Sequence, residues 1–350
     1  MKNSLLLVAL LLGLSASSQT LNSPESVEYN DASGEWFISN RAAHTILRRS
    51  PSGTLSTFAS GLTTGPHGME IVGNRMFVCD GGTLREYNIN TGANVQNVNL
   101  GASFLNGITH DNNGNLYITD FTAKNIYRFN MNTGAYNIFV GSLVKSPNGI
   151  IFDEDDDRLV FVNWGSSAPI MAIAMADSSL STLTTTSLGN IDGIAMDCQG
   201  NFYVASWSPN RITMFDNSFT GAGTNMGYTG LSSPADIYFA QATDSLGVPN
   251  SGNNTVTFYS ITSCLAPNAI EEQTPASMLY FFPSSDGQIR LEFSGFDQNK
   301  SVEIMDISGK QVFVQQTQST SINTQLPEGI FIVRVNDGIR SVTKKIVNLR

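Results

Sequence analysis

The chain of 350 residues is long enough for two domains, and its 41% hydrophobic and 14% charged content fits a globular, sheet-rich protein. The net charge of −10 is unevenly spread: residues 19–278 hold ten Lys/Arg against twenty-two Asp/Glu, whereas 279–350 hold eight against seven. An acidic front part argues against nucleic acid and anionic membrane as partners and agrees with a cation or a neutral small molecule.

Residues 1–18 read as a secretory signal peptide. Lys2 precedes the apolar run Leu5–Leu14, and the small residues Ala16 and Ser18 follow, which places the cut before Gln19. The run is too short for a permanent span, and no Cys stands at the cut, so a lipoprotein is not expected. The mature chain is expected to be soluble and extracytoplasmic, with no transmembrane segment.

From Pro24 onward one unit recurs: an apolar or Pro residue, a variable polar residue, an alternating strand, a tight polar turn and a second strand. The copies are PESVEYNDASGEWFISN, PHGMEIVGNRMFVCD, LNGITHDNNGNLYITD, PNGIIFDEDDDRLVFVNW, IDGIAMDCQGNFYVASW and the looser PADIYFAQATDSLGVPN. Aligned on Pro24, Pro66, Leu105, Pro147, Ile191 and Pro234, they are spaced by 39 to 44 residues. That period, with about four short strands per unit, predicts an all-β fold, a six-bladed β-propeller over 19–263. Third and fourth strands read at Asn125–Phe129 and Ala135–Val140, and at Arg211–Phe215 and Thr224–Tyr228. The sixth unit has a third strand at Thr255–Ile261 and no fourth. Thr20–Asn22 is the candidate clasp that completes it.

Cys79 falls within a strand and reads as core. Cys198 and Cys264 leave a bridge open, and the odd count leaves at least one thiol unpaired. No Cys/His spacing suggests zinc. The run 153–157 reads as a solvated hairpin turn, and His44 and His110 read as surface or loop residues.

Residues 264–278 read as a linker by their Pro, Ala and Glu content. Short alternating strands over 279–350, with turns at Asp286-Gly287, Ser308-Gly309 and Asp337-Gly338, predict a C-terminal β-sandwich. The Phe282-Pro283 opening, the Asp306-Ile307-Ser308-Gly309-Lys310 turn, Leu326-Pro327-Glu328-Gly329 and the closing Lys344-Lys345-Ile346-Val347 resemble the C-terminal sorting domain of the type IX secretion system of Bacteroidetes. The resemblance implies that the type IX machinery is a partner. It also implies export across the outer membrane, with removal of this domain or attachment at the cell surface.

In a propeller the innermost strand of each blade lines the central tunnel, and the residue just before it sits at the mouth. Those residues are Glu25, His67, Asn106, Asn148, Asp192 and Ala235. Five of the six can ligate a metal or transfer a proton, and none is Lys or Arg. Asn-Gly and Asp-Gly are also ordinary turn pairs, so a purely local role stays open. Glu25 and Asp192 about 5 Å apart would repel by roughly 3 kcal/mol at an effective dielectric near 20. Without a basic partner, either one stays protonated or a cation sits between them. Two carboxylates and two amide carbonyls are hard oxygen ligands that suit Ca²⁺. Strand ends at Asp80, Asp120, Asn163, Trp164, Ser206 and Trp207 are expected on the same face, where they would shape a pocket.

Over about 24–263 these motifs resemble the SMP-30/gluconolactonase family and its relatives, the paraoxonases and diisopropylfluorophosphatases. The resemblance implies a Ca²⁺ near the axis held by Glu25, Asn106, Asn148 and Asp192. Pro66-His67-Gly68 is similar to the segment that carries the paraoxonases' proposed base. Two functions follow. One is a Ca²⁺-dependent hydrolase of lactones or esters, in which His67 or Asp192 activates water. The other is a non-catalytic, NHL-like propeller that binds a protein or glycan at the cell surface.

Overall fold

The computed structural model describes residues 19–261, 278–283, 288–294, 296, 299–337 and 341–348. The expected signal peptide, Cys264 and nearly all of the expected linker lie outside the described residues. The chain divides into two compact units, Met1–Cys264 and Leu265–Arg350.

The first unit is built of six consecutive antiparallel sheets. Five have four strands in sequence order and the sixth has three. Their first strands are Pro24–Asn30, Met69–Val72, Leu105–His110, Pro147–Asp153, Gly189–Met196 and Tyr238–Ala240. Each first strand adjoins the next, and the sixth adjoins the first. Two single 3-10 turns, Arg41–Ala43 and Gln241–Thr243, are the only helical pieces among the described residues.

The strand sequences explain this arrangement. Runs such as Leu159–Val162 and Phe202–Ala205 are apolar at every position, as strands buried on both faces must be. Successive side chains then serve different cores: Phe161 packs with Tyr117 and Ile150, whereas Val160 and Val162 pack with Ile194 and Phe202. Every core cluster of this unit is shared by two neighbouring sheets. Phe37 and Ile46 of the first sheet meet Met69 and Val78 of the second. Val27, Trp36 and Leu47 meet Ala240, Tyr238 and Phe258 of the sixth, so the cycle of cores is closed.

The inner strands approach one another so closely that only glycine fits at the point of contact. A Cβ on Gly68 would lie 2.2 Å from the Asn106 carbonyl oxygen, and one on Gly107 would lie 2.5 Å from that of Asn148. Gly149 and Gly193 repeat the contact at 2.7 Å from Asp192 and 2.5 Å from Ala235. The Gly68 N–H donates to the Asn106 carbonyl at 2.9 Å. The Asn-Gly and Asp-Gly pairs are therefore strand residues at a backbone contact, not turns. Where the cycle closes, Ser26 and Asp236 replace the glycines. They form a parallel bridge, with the Ser26 hydroxyl donating to Asp236 Oδ2 at 2.9 Å.

The expected strand at Thr20–Asn22 does not form. The segment is instead tied to the first sheet: Asn22 N–H donates to Asn40 Oδ1 at 2.6 Å and the Asn40 amide donates to the Thr20 carbonyl at 3.1 Å. Hairpin turns follow the sequence. Asp111 Oδ1 accepts the N–H groups of Asn113 and Asn115, and Asp197 Oδ1 those of Gln199 and Asn201, the ordinary Asx chemistry of tight turns. Cys79 is buried with a free thiol. Cys198 is disulfide-bonded.

The second unit holds two sheets. One joins Met278–Pro283, Gln288–Ser294 and Ser321–Gln325. The other runs Gln311–Thr317, Lys300–Asp306, Gly329–Asn336, Ser341–Asn348. Ile289, Leu291 and Ile322 of the first share a core with Val302, Ile304 and Val333 of the second. The Asp306 turn forms as its residues suggest, with Oδ1 accepting Ser308 N–H at 2.9 Å and Lys310 N–H at 3.0 Å.

Gly107→Ala must push a methyl into the Asn148 carbonyl. It is expected to cost on the order of 1–3 kcal/mol, as overpacking does. Gly189→Ala, whose Cβ would meet nothing nearer than the Ser208 Cβ at 3.3 Å, is expected to cost clearly less. Urea midpoints of the two variants check this ranking.

Candidate functional site

Where the inner strands begin, their leading residues converge. Glu25, His67, Asn106, Asn148 and Asp192 line one cavity of about 190 Å³, together with Arg41, Phe104, Phe121, Trp164 and Trp207. All five polar ring residues are buried, at 7%, 6%, 5%, 1% and 2% exposure. The sixth ring position, Ala235, is fully buried and contributes no polar group.

Asn148 ties the ring together. Its amide nitrogen donates to Asp192 Oδ1 at 3.0 Å and to the Ile191 carbonyl at 3.2 Å. Its amide oxygen is buried with no hydrogen-bond partner. A buried carbonyl oxygen without a donor is costly, and beside two carboxylates it is the donor set a hard cation needs. Among the described residues no three His, Cys, Asp or Glu side chains are grouped to hold a metal. A cation here would therefore depend on the asparagine carbonyls as well as on Glu25 and Asp192. On that chemistry the residues fit Ca²⁺.

Electrostatics are those of acids held out of water. Burial pushes Glu25 up to about 7, against the nearby Arg41 charge and a Ser251 hydrogen bond, which pull it down. Asp192 is raised well above the usual carboxylate range by burial and then by the charges of Glu25 and Asp236. Burial likewise lifts Asp236 to about 7. Without a cation these groups favour their protonated forms.

The sequence reading that no basic residue faces the ring needs correction. Arg41, from the 3-10 turn after the first hairpin, places Nε 3.6 Å from Glu25 Oε2. Its position is fixed by Nη2 donating to Ser23 Oγ at 2.8 Å. No motif announced it, because it lies outside the repeated hairpin. His67 Nδ1 lies 3.1 Å from the Gly65 carbonyl, which can only accept, so Nδ1 carries the proton and Nε2 the lone pair. Burial and then the Arg41 charge lower His67 to about 4, which keeps it neutral at pH 7.

The rim is aromatic. His67, Phe104, Phe121, Trp164 and Trp207 form an edge-to-face chain, with successive ring centres 4.6, 5.7, 5.9 and 4.9 Å apart. Of the strand-end residues, Trp164 and Trp207 line the cavity, whereas Asp80 and Asp120 brace loops. Asp80 accepts the N–H groups of Thr63 and Thr64, both at 2.8 Å. Asp120 accepts those of Ser103 at 2.7 Å and Phe104 at 3.1 Å, which fixes the Phe104 loop. Asn163 and Ser206 bind backbone carbonyls of their own loops, at Pro169 and Pro209. Phe104 and Phe121 were missed because loop residues carry no periodic signal. Their place beside each repeat's leading and closing residues is the signal that would have found them.

Residues 61–243 match the SMP-30/Gluconolactonase/LRE-like region, and residues 281–348 match the secretion system C-terminal sorting domain. No curated protein matches the chain by sequence. Among solved structures, the gluconolactonase XC5397 of Xanthomonas campestris is 17% identical with a TM-score of 0.60, covering 68% of this chain and 86% of that one. The calcium-binding protein regucalcin of Agrobacterium tumefaciens is 18% identical with a TM-score of 0.52, covering 66% and 83%. A luciferin-regenerating enzyme is 14% identical with a TM-score of 0.54, covering 65% and 84%. These likenesses place the first unit among propellers.

In protein stripped of divalent cations, stability is expected to fall as pH rises. Glu25 and Asp236 keep, up to about 7, protons that the unfolded chain releases from their ordinary values of 4.5 and 3.8. Their contribution is full below those values and is lost through about pH 7. His67, lowered from 6.5 to about 4, acts oppositely, but it stands alone against Glu25, Asp192 and Asp236. Melting temperatures in EDTA are expected to drop between pH 5 and 7.5, and less steeply for Glu25→Gln.

Proposed function

Because the chain belongs to the SMP-30/Gluconolactonase/LRE-like family, we propose that it is an exported, Ca²⁺-dependent hydrolase of lactones or esters. We take the six sheets as the six blades of one propeller over 19–263, and the two C-terminal sheets over 279–350 as a sorting sandwich behind the 264–278 linker. The observation that carries the reading is the partnerless, buried Asn148 Oδ1 beside the Glu25 and Asp192 carboxylates in one cavity.

Glu25, Asn148 and Asp192 would hold the ion, with Asn106 beside it. When bound, Ca²⁺ supplies polarisation of the substrate carbonyl and stabilisation of the oxyanion. Neutral His67, or the Asp192 carboxylate, takes the proton from the attacking water. Phe104, Phe121, Trp164 and Trp207 receive the apolar body of the substrate and keep bulk water out. That wall suits an aryl or alkyl lactone or ester. The acidic first unit leaves little attraction for anionic substrates.

The NHL-like binding module is the second reading, and Arg41 favours it. Its guanidinium 3.6 Å from Glu25 supplies a positive charge to the ring without any metal.

Melting in Ca²⁺ and in EDTA separates the two readings. Binding to the folded state alone adds about 2.7 kcal/mol at a hundredfold excess over Kd, so wild type is expected to melt several degrees higher in Ca²⁺ and Asp192→Ala at one temperature in both. His67→Gln is expected to lower aryl-ester or lactone turnover about 10²–10⁴-fold if it is the base. No Ca²⁺ shift together with no turnover selects the binding module. Deleting 279–350 is expected to stop export in the native host and to leave the cooperative melting of 19–278 intact. Unchanged export would sink the sorting role.

A further inference from the structure

The three residues that follow each ring position carry the inner strands about 10 Å along their length. There the same strands line a second cavity of about 410 Å³, separate from the one already described. Five carboxylates line it: Glu28, Asp31, Glu70, Glu154 and Asp236. His110 is the one cationic candidate among its lining residues, and no Lys or Arg is among them. His110, expected at the surface or in a loop, ends an inner strand with its side chain 36% exposed and hydrogen-bonds Glu70 through Nδ1.

The acids lie at two levels. Glu28 is buried and Asp236 and Glu70 are half-buried, whereas Asp31 and Glu154 stand exposed. The lining also offers apolar surface from Ile151, Ile194 and Ile237. Glu28 is the telling group. It is 6% exposed and lines the cavity, and the groups that act on its carboxyl are the like-charged Glu70 and Asp236. Glu70 is held by His110 and Asp236 by Ser26, so of the three inner acids Glu28 is the one whose carboxyl group is left to the cavity. A buried carboxylate left so is costly unless a cation joins it.

A bare metal ion does not fit this pattern. No three His, Cys, Asp or Glu side chains among the described residues are grouped for one, and the cavity has the volume of a small organic ligand. We propose that this second cavity binds an aliphatic organic cation with two ammonium groups, one against Glu28 and Glu70, the other at the exposed Glu154, its methylenes on the isoleucines. A diamine or polyamine meets all three features. A neutral diol has the same length and lacks the charge.

The test is calorimetric titration of the full chain with 1,4-diaminobutane, 1,4-butanediol and Ca²⁺. The diamine is expected to bind, the diol not to bind, and Ca²⁺ not to displace the diamine. Glu28→Gln is expected to weaken diamine binding at least tenfold, and Asp192→Ala to leave it unchanged. If Glu28→Gln does not fold, Glu154→Gln at the exposed rim is expected to weaken binding several-fold, and diamine is expected to raise the wild-type melting temperature. Absence of diamine binding, equal binding of the diol, displacement by Ca²⁺, or loss of binding in Asp192→Ala would each overturn the proposal. None of these outcomes depends on whether the other cavity hydrolyses anything.

Discussion

The molecule depends on a contact between backbones. At Gly68, Gly107, Gly149 and Gly193 the inner strands of neighbouring sheets approach until a Cβ would sit 2.2–2.7 Å from a carbonyl oxygen. Hydrophobic cores between the sheets drive the assembly, but they are tolerant of volume-conserving change. The glycine contacts are not, because the obstacle is main chain. They fix how far each inner strand stands from the axis. They thereby fix where the residue before each glycine stands, and those residues line one cavity. The polar ring is a consequence of that geometry: Glu25, His67, Asn106, Asn148 and Asp192 meet because the residues after them must lie close together.

The same constraint gives the inner strands two useful ends. At one end carboxylates, amides and an imidazole face an aromatic wall. At the other, carboxylates face isoleucines. Asp236 sits between, bonded to Ser26 where the cycle closes, and its charge is felt by Asp192 at one end and Glu28 at the other. A column of acids largely held out of water, with Arg41 beside Glu25 and His110 beside Glu70, carries more negative than positive charge. Counter-ions or protons complete it, which links the acid–base behaviour of the fold to whatever it binds.

Much of this was legible from spacing. The repeat of 39 to 44 residues located all six inner strands and all five polar ring residues, because hairpin turns with Asx chemistry and doubly apolar strands both leave clear patterns. What was not legible lies outside the repeat. Arg41 sits on a 3-10 turn of three residues, and Phe104 and Phe121 on loops whose course is set by Asp120. The pairing of His110 with Glu70 was not legible either, because the two stand forty positions apart. The clasp expected at Thr20–Asn22 failed for a related reason. Asn40 offered the segment side-chain hydrogen bonds at the first sheet, and a count of strands cannot see that competitor.

Sensitised terbium luminescence tests the central claim most directly, because Tb³⁺ takes the same oxygen donors as Ca²⁺ and emits strongly only when an excited indole is close. Trp164 and Trp207 both line the ring cavity. On tryptophan excitation the account predicts Tb³⁺ emission that saturates at one ion per chain, is quenched by added Ca²⁺, and is lost in Asp192→Ala. Emission absent from the wild-type protein, or undiminished in Asp192→Ala, would contradict a cation held by Glu25, Asn148 and Asp192.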